Sequence, residues 1–111
     1  MNFTKHLEVE LPTDGEVYTK LGAINLKLKK YKEAEENFLK ALEIKPVVNT
    51  DIYINIINLQ YILKRYKLAE KYCLLALKVD PNCVKIFRLL GSILELDLKR
   101  LKEAEKCLEL Q

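Results

Sequence analysis

The chain is poor in the residues that punctuate a fold, with three glycines and three prolines among 111 residues. So few breakers argue against a sheet protein rich in turns and point to helices with short connections. The same scarcity leaves no glycine-rich phosphate loop. Histidine occurs once, as His6, and no nucleophile and base stand in a recognisable motif, so this chain is not expected to be an enzyme by itself. Its three cysteines, Cys73, Cys83 and Cys107, are odd in number and far apart, without the close pairs of zinc or thiol-redox sites. Free thiols are expected, Cys73 and Cys107 packed as small apolar groups and Cys83, just after Pro81-Asn82, more exposed. No metal or cofactor is called for.

Charge of one sign is also missing in blocks. The 19 basic and 16 acidic residues are spread through the chain for a net charge of +3, so no nucleic-acid-binding tail is expected. Long apolar runs are absent: residues 1–13 lack the core of a signal peptide, and the stretch from Ile52 to Leu63 is broken by Asn55, Asn58 and Gln60. The expectation is a soluble intracellular chain, cytoplasmic or nuclear, without a membrane partner. What is present is ample apolar content, 50% of residues, enough for the core of one ordinary domain.

That content is periodic. The segment from Leu28 to Pro46 (LKKYKEAEENFLKALEIKP) recurs 35 residues later from Leu63 to Pro81 (LKRYKLAEKYCLLALKVDP), and opens a third time from Leu98 as LKRLKEAEKCL. A fixed period of this size means stacked supersecondary units. Within the units Tyr31, Ala34, Phe38, Ala41 and Leu42, then Tyr66, Ala69, Cys73, Ala76 and Leu77, fall at steps of three and four, one face of a helix. Pro46 and Pro81 should end these helices. Upstream of each lies another periodic run: Val17, Tyr18, Leu21, Ile24 and Leu28; Ile52, Tyr53, Ile56, Leu59 and Leu63; Ile86, Phe87, Leu90, Ile93 and Leu94. Thr13 with Glu16, Asn49 or Thr50, and Asn82 are placed to cap them. The reading is six helices, the last cut short.

The first unit carries Tyr18, Leu21-Gly22, Tyr31, Ala34, Phe38, Ala41 and Pro46 at spacings that resemble the tetratricopeptide repeat family. The second has Tyr53, Ile56, Tyr66, Ala69, Ala76 and Pro81, with Ile57 where the first has Gly22 and Cys73 where it has Phe38. The third has Phe87, Leu90-Gly91, Leu94, Leu101, Ala104 and Leu108, with one extra residue between its helices. Small residues suit the close crossing of a helix pair, and the paired exchange at 57 and 73 keeps volume roughly constant. Asn25 and Gln60 stand where the family has a large residue. The pentatricopeptide family shares the period, but the alanine and proline placement follows the protein-binding one. The resemblance implies an all-α, right-handed superhelical solenoid of antiparallel helix pairs: an extension over 1–14, in which Pro12 in phase with Pro46 suggests a remnant helix, and repeats over 15–49, 50–83 and 84–111, the last truncated.

The same resemblance implies that the first helices line a concave groove where a protein or peptide partner binds. Its candidate residues are Thr19, Ile54, Asn55, Asn58, Tyr61, Lys85 and Arg88, a mixed surface with an apolar middle and a basic side. Ile54 and Tyr61 could anchor an apolar side chain or partner helix. Equally, they could contact the neighbouring unit. The carboxylate clamp of chaperone-binding members is incomplete: its five places hold Thr19, Ala23, Asn55, Lys85 and Leu89, matching only at Asn55 and Lys85. The asparagine ladder of sugar-transferase repeats keeps only Asn55 among Lys20, Asn55 and Leu89. The function expected is a scaffold or binding module, the alternatives being a regulatory segment of a larger enzyme or a chaperone-tail adaptor with a non-standard clamp. The end at Gln111, partway through a helix, favours a fragment of something longer. Uncovered apolar faces around Leu90, Ile93 and Leu108 in the third unit predict self-association through that end, while Met1, Phe3 and Leu7 are placed to cover the first unit.

Overall fold

A computed structural model describes residues 14–44 and 50–109, without the side chain of Leu108. Among them are five helices and no strand: α1 (Asp14–Lys27), α2 (Tyr31–Glu43), α3 (Asp51–Ile62), α4 (Tyr66–Val79) and α5 (Val84–Glu109). The chain divides into two compact units, residues 1–46 and 47–111.

In the first unit α1 packs along α2. Phe38 is fully buried beside Ala34 and Ala41, and its ring lies against Gly22 of α1. A Cβ at that glycine would land on the Phe38 ring, so the small residue is required for the large one to fit. Asn25, a polar residue in an apolar family position, gives its Nδ2 hydrogen to Asn37 Oδ1 across the pair at 2.7 Å. That bond removes the penalty of partial burial. The Lys40 ammonium sits 5.6 Å from the centre of the Tyr18 ring, a cation–π contact across the pair.

The turn between the helices follows from backbone bonding. Lys29 N donates to Leu26 O and Lys30 N to Asn25 O, the two bonds of a Schellman closure. Lys64 and Arg65 repeat it onto Tyr61 O and Gln60 O. Each closure needs a left-handed residue, and lysine occupies it with φ of 62° at Lys29 and 60° at Lys64. A side chain there costs about 1 kcal/mol relative to glycine. Lys64→Gly is therefore expected to raise stability by about 0.5–1 kcal/mol, read as a higher urea midpoint at unchanged slope. A fall in the midpoint would mean that the lysine side chain makes a compensating contact.

In the second unit α3 packs on α4, α4 on α5, and α3 more lightly on α5. Ile57, Tyr66, Ala69, Cys73, Ala76, Ile86 and Ile93 form one buried cluster. Ile57 and Cys73, both fully buried, occupy the places that Gly22 and Phe38 hold in the first unit. Gln60 is buried, and its Oε1 accepts from Arg65 Nη1 at 3.3 Å. Helix α4 ends as expected before Pro81: Asp80 is extended, with φ −140° and ψ 96°, the geometry favoured ahead of a proline.

The third unit corrects the expectation of six helices. Residues 84–109 form one continuous helix, and the stretch Leu98-Lys99-Arg100, which matches the two turns in sequence, stays helical. Nothing in it breaks a helix, and a left-handed Lys99 would cost free energy with no buried layer to offset it. Two contacts with the start of α4 also hold this stretch: Lys67 Nζ lies 3.0 Å from Asp97 Oδ2, and the Arg100 guanidinium stacks 5.4 Å from the Tyr66 ring centre. Asp97, which also accepts a hydrogen bond, holds the Lys67 ammonium above its ordinary range.

Other expectations change with it. Cys107 is exposed and Cys83 only half-buried, the reverse of the expected order, while Cys73 is buried and all three are free. Without a folded-back partner, residues 101–107 all stay exposed. Burial first, then the nearby Glu70 charge, pushes the Cys73 thiol up to about 11. The unfolded chain releases that proton more readily, so its contribution to stability declines as pH rises from about 9 toward 11. Thr50 is the N-cap of α3 by position but makes no side-chain cap bond; its hydroxyl lies 3.9 Å from Cys83 Sγ. Asn82 stands two residues before α5 begins at Val84, and its backbone N–H donates to Asp80 Oδ1. Thr13, Asn49, Pro12, Pro46 and the proposed cover by Met1, Phe3 and Leu7 lie outside the described residues.

Candidate functional site

Of the candidate groove residues, Ile54, Asn55, Asn58 and Tyr61 come from α3 and Lys85 and Arg88 from α5, all in the second unit. Ile54, Asn55, Asn58 and Tyr61 are half-buried. Their spacing of three and four along α3 puts them on neighbouring rows of its surface. Ile54 and Tyr61 pack partly against the buried cluster, and the Tyr61 ring meets Tyr66 edge-on at 6.0 Å. Each therefore packs in part against the core, as one of the two expectations had it, and is in part at the surface. A tyrosine braced in this way offers contact area with little freedom left to lose.

Polar groups on the same face are only partly committed. Asn55 donates one Nδ2 hydrogen to Asp51 O at 2.9 Å, one of the four bonds an amide can make. Lys85 and Arg88 are exposed near the start of α5, with no ion-pair partner among the described residues. Thr19 belongs to the first unit, where its hydroxyl donates to Gly15 O at 2.8 Å, so that its hydrogen is used within its own helix.

The uncovered apolar face expected in the third unit lies on other residues than expected, since Ile93 is buried and Leu90 packs against the core. Along α5, Val84, Phe87, Leu94, Leu98 and Leu101 are all exposed, and Gly91 among them has nothing within 4 Å of where a Cβ would stand. The signal was the unbroken three-and-four spacing through Leu101, hidden by the assumption that the helix stops. No helix among the described residues is long and apolar enough to cross a membrane, and they hold no group of His, Cys, Asp and Glu suited to a metal ion.

Two family models for the tetratricopeptide repeat match the chain, one over residues 15–46 and the other over 50–83. No curated protein matches it. The matched segments coincide with the α1–α2 and α3–α4 pairs, whose buried residues are those that carry the repeat pattern. Repeats of this family are in general protein–protein interaction modules. With consecutive matches over more than half its length, the chain belongs to the tetratricopeptide repeat family.

Proposed function

We propose that the chain holds a peptide segment or partner helix against the α3 face, with Ile54 and Tyr61 as apolar anchors and Lys85 and Arg88 drawing acidic side chains. The observation that carries this reading is the half-buried Ile54 and Tyr61 pair, braced by the core and open on its other side. Such anchors are rigid before binding, which lowers the entropic cost of association. The exposed cations add on-rate and a preference for acidic partners more than affinity. Asn58 extends the polar margin. Cytoplasmic or nuclear placement and independence from membranes, nucleic acids and cofactors belong to the same reading.

The test uses peptides displayed on phage and selected on the purified chain. Selected sequences are expected to combine an apolar anchor with acidic residues. Tyr61→Ala should weaken them about tenfold, a typical loss for a central aromatic anchor. Lys85→Ala with Arg88→Ala should weaken them several-fold at low salt and less at high salt. Because Tyr61 also packs on the core, circular dichroism of each variant separates lost binding from lost folding. Peptides bound equally by all variants would move the interface off this face.

A further inference from the structure

The steps along α5 from Val84 through Phe87, Gly91, Leu94 and Leu98 to Leu101 alternate three and four, a seam of period 3.5. Phe87 is 52%, Leu94 45%, Leu98 53% and Leu101 59% exposed. The seam is distinct from the face that packs inward, where Ile86 and Ile93 are fully buried and Leu89, Leu90 and Leu96 lie against the core. An apolar stripe of this length on a 26-residue helix is uncommon on a solitary surface.

We propose that two copies of the chain pair through this seam from Gly91 onward, α5 against α5 and antiparallel, about a two-fold axis midway between residues 99 and 100, with Val84 and Phe87 outside the overlap. The repeat's own hairpin supplies the geometry. In the first unit Gly22 on one helix admits Phe38 from the other. The equivalent places in the third unit are Gly91 and position 108, and on one straight helix these lie about 25 Å apart, too far to meet. In the antiparallel pair, position 108 of the second copy stands opposite Gly91, and Leu98 stands opposite Leu101 of the second copy. Each copy thus supplies the antiparallel helix that the other's third repeat lacks, an exchange of one element between identical chains. Gly91, which weakens a mid-helix position by about 1 kcal/mol relative to alanine, is then the space for a close crossing.

Charge selects the same register. One flank of the seam carries Arg88, Glu95, Lys102 and Glu109, alternating in sign and all exposed. In this register Arg88 faces Glu109 of the second copy and Glu95 faces its Lys102, so by symmetry the dimer has four opposite-sign pairs. A slip of one heptad sets Glu95 against Glu95 and Arg88 against Lys102. A parallel pair would stack Glu105, the charged residue of the seam, on its own twin. The antiparallel register instead places it opposite Leu94, between the Leu98 and Gly91 layers and away from its twin. Flanking charges are the usual selector of partner and orientation in paired helices. The seam shares Arg88 with the peptide-binding reading but not the Ile54 and Tyr61 anchors, and its pairing is measured without any peptide, so either reading can fail alone.

Sedimentation equilibrium of the whole chain over a roughly hundredfold concentration range is expected to show a monomer passing into a dimer. Leu98→Glu should leave a monomer throughout, with helical circular dichroism retained because the side chain is half in solvent. Glu95→Lys and Lys102→Glu should each weaken the dimer about tenfold, since each turns two attractions into repulsions. Mixed in equal amounts, the two variants should regain wild-type affinity or better, because one copy then presents cations where the other presents anions. A wild-type monomer at every concentration, as a hairpin folded back within one chain would give, overturns the proposal. So does a dimer indifferent to Leu98→Glu, or a mixture no tighter than its parts.

Discussion

Cutting Ile57 back to glycine is expected to destabilise the second unit by about 3–6 kcal/mol, and placing phenylalanine at Cys73 by about 1–3 kcal/mol, yet the two changes together should recover most of the loss. The first figure joins the cavity left by a buried isoleucine to the helix cost of glycine. The second is the overpacking of a site with no free volume. Both side chains are fully buried in one cluster and hold the places of Gly22 and Phe38, where the small and large residues are distributed the other way. The double variant recreates the arrangement that the first unit already uses. A double-mutant cycle in urea should therefore give a coupling of at least about 2 kcal/mol, against a few tenths for residues that do not touch. A coupling near zero would show that positions 57 and 73 do not share a packing layer, and that the two repeats are built differently despite their common spacing.

Legibility in the amino-acid sequence divides along a physical line. The helices of the first two units, the burial of Ala34, Phe38, Ala69 and Ala76, and the stop before Pro81 are all visible in local pattern, because periodicity and backbone restriction act within a few residues. The fate of the third unit is not. Leu28-Lys29-Lys30, Leu63-Lys64-Arg65 and Leu98-Lys99-Arg100 are nearly the same peptide, yet only the first two bend. Bending requires a left-handed lysine, and whether that cost is met depends on what the following helix covers: Phe38 reaches a glycine and Cys73 an isoleucine, whereas Ala104 and Cys107 lie exposed. The misjudged exposure of Cys107 has this same origin. For the candidate site, spacing identified the face of α3 but not its depth. That Ile54 and Tyr61 are shared between core and surface depends on α4 and α5 arriving beside them, a fact of tertiary packing.

Phe38→Ala should be the other severe substitution, at about 3–5 kcal/mol, and its effect should be confined to one end of the chain. Among residues 14–44 Phe38 is the large side chain that is fully buried, with only Ala34, Ala41 and Gly22 buried around it. Removing it takes away most of what holds α1 to α2, because short helices of this length are marginal without tertiary packing. The second unit keeps its own core of Ile56, Ile57, Leu59, Ile86 and Ile93. Since each unit of a repeat array contributes its own stability, hydrogen exchange should show amides of α1 and α2 losing protection while those of α3, α4 and the first half of α5 keep theirs. Gly22→Ala approaches the same contact from the opposite side. Alanine gains about 1 kcal/mol as a helix former, but its Cβ falls on a buried ring that cannot swing clear, so the overpacking cost of about 1–3 kcal/mol should prevail. If Gly22→Ala stabilised the protein, or if protection fell evenly along the whole chain in Phe38→Ala, the close crossing of α1 and α2 would not be what holds the first repeat together.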